Sequence, residues 1–127
     1  VIQSPTPLQR GAVQLLHLED RFYQDIAKTY EQKRATLMTA LRRVGFLVTP
    51  PEGAYYLFAN YREVPVLKEL NSVDAAMYLI RKIGVAAVPG NSFYRQGNEG
   101  NNYLRFAFCR SLDTLQLAAN RLGSLII

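Results

Sequence analysis

Apolar residues in the first third of the chain recur at the three-to-four spacing of amphipathic helices. Leu8, Ala12, Leu15 and Leu16 mark a first helical stretch after Pro7, with Ser4 and Thr6 as candidate caps. Leu8, Val13, Leu15, Leu16 and Leu18 surround too much of that helix for a solvated face, so an exposed apolar surface is expected over 8–18. The acidic pair Glu19 and Asp20 suits the start of a second helix. Its apolar face runs through Phe22, Ile26, Tyr30, Leu37, Leu41 and Val44, interrupted by Lys33 and Arg34, and Gly45 suits its left-handed end. The joint pattern is too long for one average helix, which places a break near 17–21.

The period then shortens. Residues 46–49 read as a short strand stopped by Pro50 and Pro51, and Gly53 permits a turn into an aromatic-rich strand over 54–60. The stretch 61–71 reads as a loop. Ser72 is the candidate cap of a helix whose apolar face is Val73, Ala76, Ile80 and Ile83, stopped by Gly84. A short apolar strand over 85–88, a glycine- and asparagine-bearing loop over 91–102, a strand over 103–109 and a last helix capped by Ser111 complete the chain. In that helix Leu115, Ala118, Ala119 and Leu122 face inward. The order implies an α+β fold: a two-layer small domain with a mixed or antiparallel sheet of about four strands covered by helices.

Composition narrows the class. At 127 residues, 49% of them hydrophobic, the chain can build one globular core. Its one cysteine, Cys109, forbids an internal disulfide and suits a cytoplasmic setting. No apolar run approaches the roughly twenty residues of a membrane span. The chain opens at Val1 without a leader pattern, which reads as a piece of a longer protein. The net charge of +5 is spread over Arg34, Arg42, Arg43, Arg62, Lys68, Arg81 and Lys82 without a stripe interleaved with aromatics, so neither nucleic acid nor a membrane is an expected partner.

Alternation assigns the most informative side chain. Over 103–109, Leu104, Phe106 and Phe108 share one face and mark the core. Tyr103, Arg105, Ala107 and Cys109 share the other, so Arg105 points away from the core. A guanidinium on a strand stays charged and offers a planar fork that can hold both oxygens of a carboxylate. Gly90 lets the chain turn sharply after Pro89, and Phe93 and Tyr94 can wall a pocket. His17 has no visible partner, Cys109 reads as a buried, inert thiol, and Glu52 and Glu99 pair with no second carboxylate. No metal-ligand cluster is present, and the run Gly97-Asn98-Glu99-Gly100 lacks the lysine and helix start of a phosphate loop.

The segment 84–111, GVAAVPGNSFYRQGNEGNNYLRFAFCRS, resembles the carboxyl-terminal end of the class I/II, fold-type I aminotransferases. Their pattern "GV..VPG..F...G...VRF.F" falls on Gly84, Val85, Val88, Pro89, Gly90, Phe93, Gly100, Leu104, Arg105, Phe106 and Phe108. PPEGAYYLF resembles their "P.GGFY" strand, PTPLQRGAV their entry into the small domain, and SLDTLQLAANRL their last helix. The wording is most similar to the kynurenine, methionine and aspartate branch. The resemblance implies a pyridoxal phosphate-dependent enzyme that moves an amino group between an amino acid and a 2-oxo acid, with a homodimeric parent. It implies that Arg105 holds the substrate α-carboxylate, with Gly90, Phe93 and Tyr94 beside it. It also implies a division into a linker helix, 1–18, and a small domain, 19–127. The cofactor lysine lies upstream of the matching region in that family. None of Lys28, Lys33, Lys68 and Lys82 stands in its context, so the cofactor is expected on a part of the parent outside this chain, and no catalytic residue is expected here. Related carbon–sulfur lyases share the arginine. A non-enzymatic α+β domain that binds a small molecule or a partner through the Arg105 face is the alternative.

Overall fold

The computed structural model describes residues 4–95 and 98–126, so Gly97, the first three residues of the predicted linker and the last residue of the predicted small domain lie outside the described residues. The elements are α1 (Thr6–Leu15), α2 (Asp20–Arg43), β1 (Leu47–Val48), β2 (Tyr56–Asn60), α3 (Ser72–Tyr78), β3 (Val88–Pro89), β4 (Tyr103–Ala107) and α4 (Leu112–Leu122). A π-helical turn, Leu79–Ile83, extends α3, and 3-10 turns cover Gly90–Phe93 and Gly123–Leu125. The four strands form one sheet in the order β1-β2-β4-β3, and every neighbouring pair is antiparallel. β2 and β3 therefore run in the same direction with β4 between them, a split arrangement joined through α3.

β4 is the central strand, and its alternation separates two faces. Leu104 and Phe106 lie opposite Ala59 and Leu57 of β2, and all four are buried. The core continues into Leu37 and Leu41 of α2 and Leu115 and Leu122 of α4, with Phe46 set edge-on against Phe106 at 5.6 Å. Each such large apolar side chain contributes roughly 1.5–3 kcal/mol on burial. α2 packs along α4 and covers this face. Only the carboxyl-terminal part of α2 is buried; Phe22, Tyr23 and Ile26 are exposed. α1 buries no residue, so the apolar surface expected there is present.

Several local expectations are corrected. Neither Ser4 nor Thr6 caps α1: the N-cap is Pro5 without a side-chain bond, and the Ser4 carbonyl accepts from the Gln9 amide instead. Asn71, not Ser72, caps α3, its Oδ1 accepting from the N–H groups of Val73 and Asp74 at 3.0 Å each. Ser72 is buried as the first helical residue. The buried face of this helix is Ser72, Ala75, Ala76 and Leu79, while Val73 and Ile80 are exposed. Both faces have helical spacing, and the one rich in alanine lets the helix approach the sheet closely. Gly53 does not take the left-handed conformation in the turn before β2; Ala54 does, at φ 58°. Gly45 and Gly84 end their helices at φ 97° and 74°, as expected.

Arginines hold the loops. Arg34 Nη1 donates to the Pro51 carbonyl at 2.8 Å, Arg42 Nη2 to Val48 at 2.7 Å and Arg121 Nη1 to Gly84 at 2.9 Å. Part of the positive charge is thus occupied with backbone carbonyls.

Two buried features fix the turn that leaves β3. Gly90 and Gly100 cross in direct backbone contact: a Cβ on Gly90 would stand 2.3 Å from the Gly100 carbonyl oxygen, and one on Gly100 would stand 2.4 Å from the Gly90 carbonyl carbon. Asn91 Nδ2 donates to Asn101 Oδ1 at 2.6 Å, and Asn101 Nδ2 to Asn98 Oδ1 at 2.8 Å, which ties the same two loops. Beneath them the fully buried Tyr61 places its hydroxyl between the carbonyls of Leu70 and Asn101. Burial, and secondarily the Asp74 carboxylate, pushes the Tyr61 phenol up to about 12.

Gly90→Ala and Gly100→Ala should each cost about 3 kcal/mol, because backbone must move to admit the methyl group. They relieve the same contact, so the double variant should cost less than the sum of the two in urea unfolding; additive losses would contradict the crossing. Ala54→Gly should stabilise by about 1 kcal/mol, read as a higher Tm, since glycine takes this conformation without the Cβ clash. The proton on Tyr61 is held more tightly in the folded state than in the unfolded chain, where a tyrosine ionises near 10. Its contribution should be whole below that pH and be lost as pH rises through about 12. Tyr61→Phe should cost roughly 1–2 kcal/mol at neutral pH and flatten that alkaline loss in pH-dependent denaturation.

Candidate functional site

The sheet face opposite the core carries the candidate site. In antiparallel register Tyr56 lies opposite Ala107, Phe58 opposite Arg105 and Asn60 opposite Tyr103, so these six share the open face. On the other flank Val88 of β3 pairs with Arg105. Arg105 is therefore held at the middle of a three-strand segment, where backbone pairing on both sides fixes its Cα.

Aromatic rings hold its side chain. The Arg105 Cζ lies 4.1 Å from the Tyr56 ring centroid and 4.3 Å from that of Phe93. A flat guanidinium between two π-faces is attracted by both ring quadrupoles, and it gives up hydration on its faces more readily than an ammonium would. Its N–H donors lie in its own plane, where an acceptor can meet them. Among the described residues no carboxylate forms an ion pair with it; the ion pairs there are Arg21 with Asp25 and Arg34 with Glu31.

The turn after Pro89 supplies the upper ring. Because Gly90 is pinned against Gly100 and the Tyr103 backbone, the following 3-10 turn carries Phe93 back over the sheet. Phe93 meets Phe58 edge-on at 5.9 Å, Tyr94 lies 6.4 Å from Phe58, and Phe58 stacks on Tyr103 at 4.9 Å. Phe93 and Tyr94 remain 43% and 40% exposed, which leaves them available as walls. Gly90 itself is buried and presents no surface; its place is beneath the turn.

The structure thus brings Arg105 and Phe93 together, with Tyr94 beside them. Tyr56 and Phe58 are contributors that sequence reasoning left unassigned, and Tyr103 joins them from the face it shares with Arg105. The signal for Tyr56 and Phe58 was the alternation in 56–60, which becomes informative only once β2 is registered on β4. Cys109 is not the buried thiol expected: it is exposed. Strand pairing ends at Ala107, the Phe108 N–H turns to the Tyr55 carbonyl, and the chain leaves the sheet to cap α4 with Ser111. His17 lies exposed between α1 and α2, and Glu52 and Glu99 are exposed as well. Among the described residues no group of acidic, histidine or cysteine side chains could hold a metal, and no helix is long and apolar enough to cross a membrane.

Lys28, Lys68 and Lys82 are exposed, and Lys33 Nζ lies over the Tyr30 ring at 5.0 Å. None neighbours the Arg105 face, so the residues present do not fit a lysine-linked cofactor site.

Comparison with known proteins bears on the family and the fold. The family model described as "Aminotransferase class I and II" matches residues 1–122. The methionine aminotransferase of Escherichia coli is 32% identical over 94% of this chain, and the kynurenine–oxoglutarate transaminase of Dictyostelium discoideum 26% over 93%. The solved structure of N-succinyldiaminopimelate aminotransferase from Mycobacterium tuberculosis superposes with a TM-score of 0.83 at 30% identity, covering 96% of this chain. The chain spans only 31% of that structure, and 30% and 31% of the two curated relatives. By the family match along nearly its whole length and by its fold, the chain belongs to the class I and II aminotransferase family.

Proposed function

We propose that this chain is the small-domain portion of a pyridoxal phosphate-dependent aminotransferase, and that Arg105 binds the α-carboxylate of its amino-acid and 2-oxo-acid substrates. The observation that carries the reading is the Arg105 guanidinium, clamped between Tyr56 and Phe93 without a carboxylate partner among the described residues. A carboxylate approaching in the guanidinium plane can form two parallel charge-assisted bonds. The flanking rings fix that plane in advance, which lowers the entropy cost of forming both bonds.

In this reading 1–18 links the cofactor-bearing part to the small domain, 19–127. Phe93 and Tyr94 wall the substrate side chain, and the Gly90 crossing positions them. The cofactor supplies the electron sink for amino-group transfer. The lysine that carries it belongs to a part of the protein other than this chain, consistent with where the four lysines here lie. A cytoplasmic homodimer is the assembly that goes with this proposal.

Replacing Arg105 by Ala in the enzyme that carries this chain should lower kcat/KM roughly ten- to a few hundredfold. That follows from a charged hydrogen bond worth about 1.5–3 kcal/mol. Arg105→Lys should recover only part, since it keeps the charge and loses the fork. Thermal unfolding of the Ala variant should fall by no more than the worth of two partly exposed cation–π contacts, about 1–2 kcal/mol. Steady-state kinetics on α-amino acids beside thermal melts checks both; unchanged kcat/KM would overturn the assignment.

A further inference from the structure

A second recess lies at the edge of the sheet, behind the clamp. β3 is two residues long, and its pairing with β4 stops at Val88. The preceding segment, 84–87, diverges from β4 and opens a cleft of about 430 Å³ against α4. That volume lies within the ~300–1,000 Å³ range of small-molecule sites. Buried Leu37, Phe106 and Leu115 form its apolar depth, and Val85, Leu117 and Ala118 line its sides.

Its polar groups are of one sign. Three arginines, Arg105, Arg110 and Arg121, line the cleft, together with Tyr56 and Thr114 and, among the described residues, no acidic one. Arg121 spends one nitrogen on the Gly84 carbonyl, and Arg110 forms no ion pair among the described residues. Strand geometry adds a backbone donor. The Phe108 N–H points toward β2, to the Tyr55 carbonyl, so the alternating groups of Ala107 point the other way. There β3 has already ended, and Ala107 lines the cleft. An apolar recess with an unpaired strand edge and guanidinium groups around it is chemically matched to an apolar body bearing a single carboxylate.

We propose that this cleft binds a small amphiphilic monocarboxylate, with its apolar body against Phe106, Leu115 and Ala118 and its carboxylate at Arg110 and Arg121. Arg105 forms the wall shared with the open face. A ligand in the cleft would contact the guanidinium from the edge opposite Phe58 and would compete with a carboxylate on the open face for its in-plane donors. The cleft shares Arg105 and Tyr56 with the carboxylate-clamp reading, but the proposed carboxylate site is Arg110 and Arg121, which that reading does not use, so different variants test the two.

The test uses the 127-residue chain, isotope-labelled for amide NMR, titrated with octanoate and, in parallel, with octan-1-ol. Octanoate should shift amides of 84–88, Ala107 and 114–118 saturably, and octan-1-ol should bind at least tenfold more weakly. Arg110→Gln should weaken octanoate at least tenfold. Ala118→Phe, which fills the cleft, should abolish the shifts while the amide spectrum elsewhere is retained. Equal binding of the alcohol, or octanoate binding unaltered in both variants, overturns the proposal. So does a shift pattern centred on Phe58, Phe93 and Tyr94 that is lost in Arg105→Gln alone; that outcome removes the cleft site and leaves the clamp reading in place. Kinetics of Arg105 variants decide the clamp reading whatever the titration shows.

Discussion

Antiparallel pairing of β4 with β2 is the constraint from which the rest of the structure follows. It sets Leu57 against Phe106 and Ala59 against Leu104 on one face, and Phe58 against Arg105 on the other. A slip of one residue would drive the guanidinium into the core and expose the phenylalanines, at a cost of several buried side chains and a desolvated charge. The apolar core thus fixes Arg105 from behind: the same register that buries Phe106 presents Arg105 to the open face.

Backbone pairing places the Cα of Arg105 but leaves a long, flexible side chain undetermined. The second constraint is the Gly90–Gly100 crossing. It brings two loops to a separation that no Cβ would permit, and in doing so directs the turn that carries Phe93 over the sheet. Tyr56 and Phe93 then hold the guanidinium carbon 4.1 and 4.3 Å from their ring centroids. The buried Tyr61 hydroxyl and the asparagine ladder hold the loops from the inside. The Arg105 side chain, half-exposed at the surface, is thus supported by buried contacts from loops distant in sequence.

The helical side is less completely packed. α1 buries nothing, and the amino-terminal part of α2 exposes Phe22, Tyr23 and Ile26. Phe22 and Tyr23 meet each other edge-on, and the Tyr23 hydroxyl donates to the Leu15 carbonyl, while the same helix buries Leu37 and Leu41 further along. This chain matches about three tenths of the length of its relatives, and the unburied stripe fits a reading in which more protein packs there.

Much of this was determined by the sequence alone. The period of apolar residues placed the break between α1 and α2, the helix stop at Gly84 and the cap at Ser111. Alternation over 103–108 set Arg105 apart from Leu104, Phe106 and Phe108, and short motifs carried the family resemblance. These are local properties, written in spacing and in the conformational limits of glycine and proline. What the tertiary structure decided depends on residues far apart in the chain. Two helical faces of α3 were equally periodic, and close approach to the sheet selected Ala75, Ala76 and Leu79. Cys109 shares the parity of Arg105, yet the sheet ends before reaching it and leaves it in solvent. Gly90 is buried by a contact with Gly100, a crossing between loops that no local spacing reveals. The ring beneath Arg105 comes from Tyr56, which no spacing within β4 could reveal: only the register between two strands, set by burial of their opposite faces, brings the two side chains together.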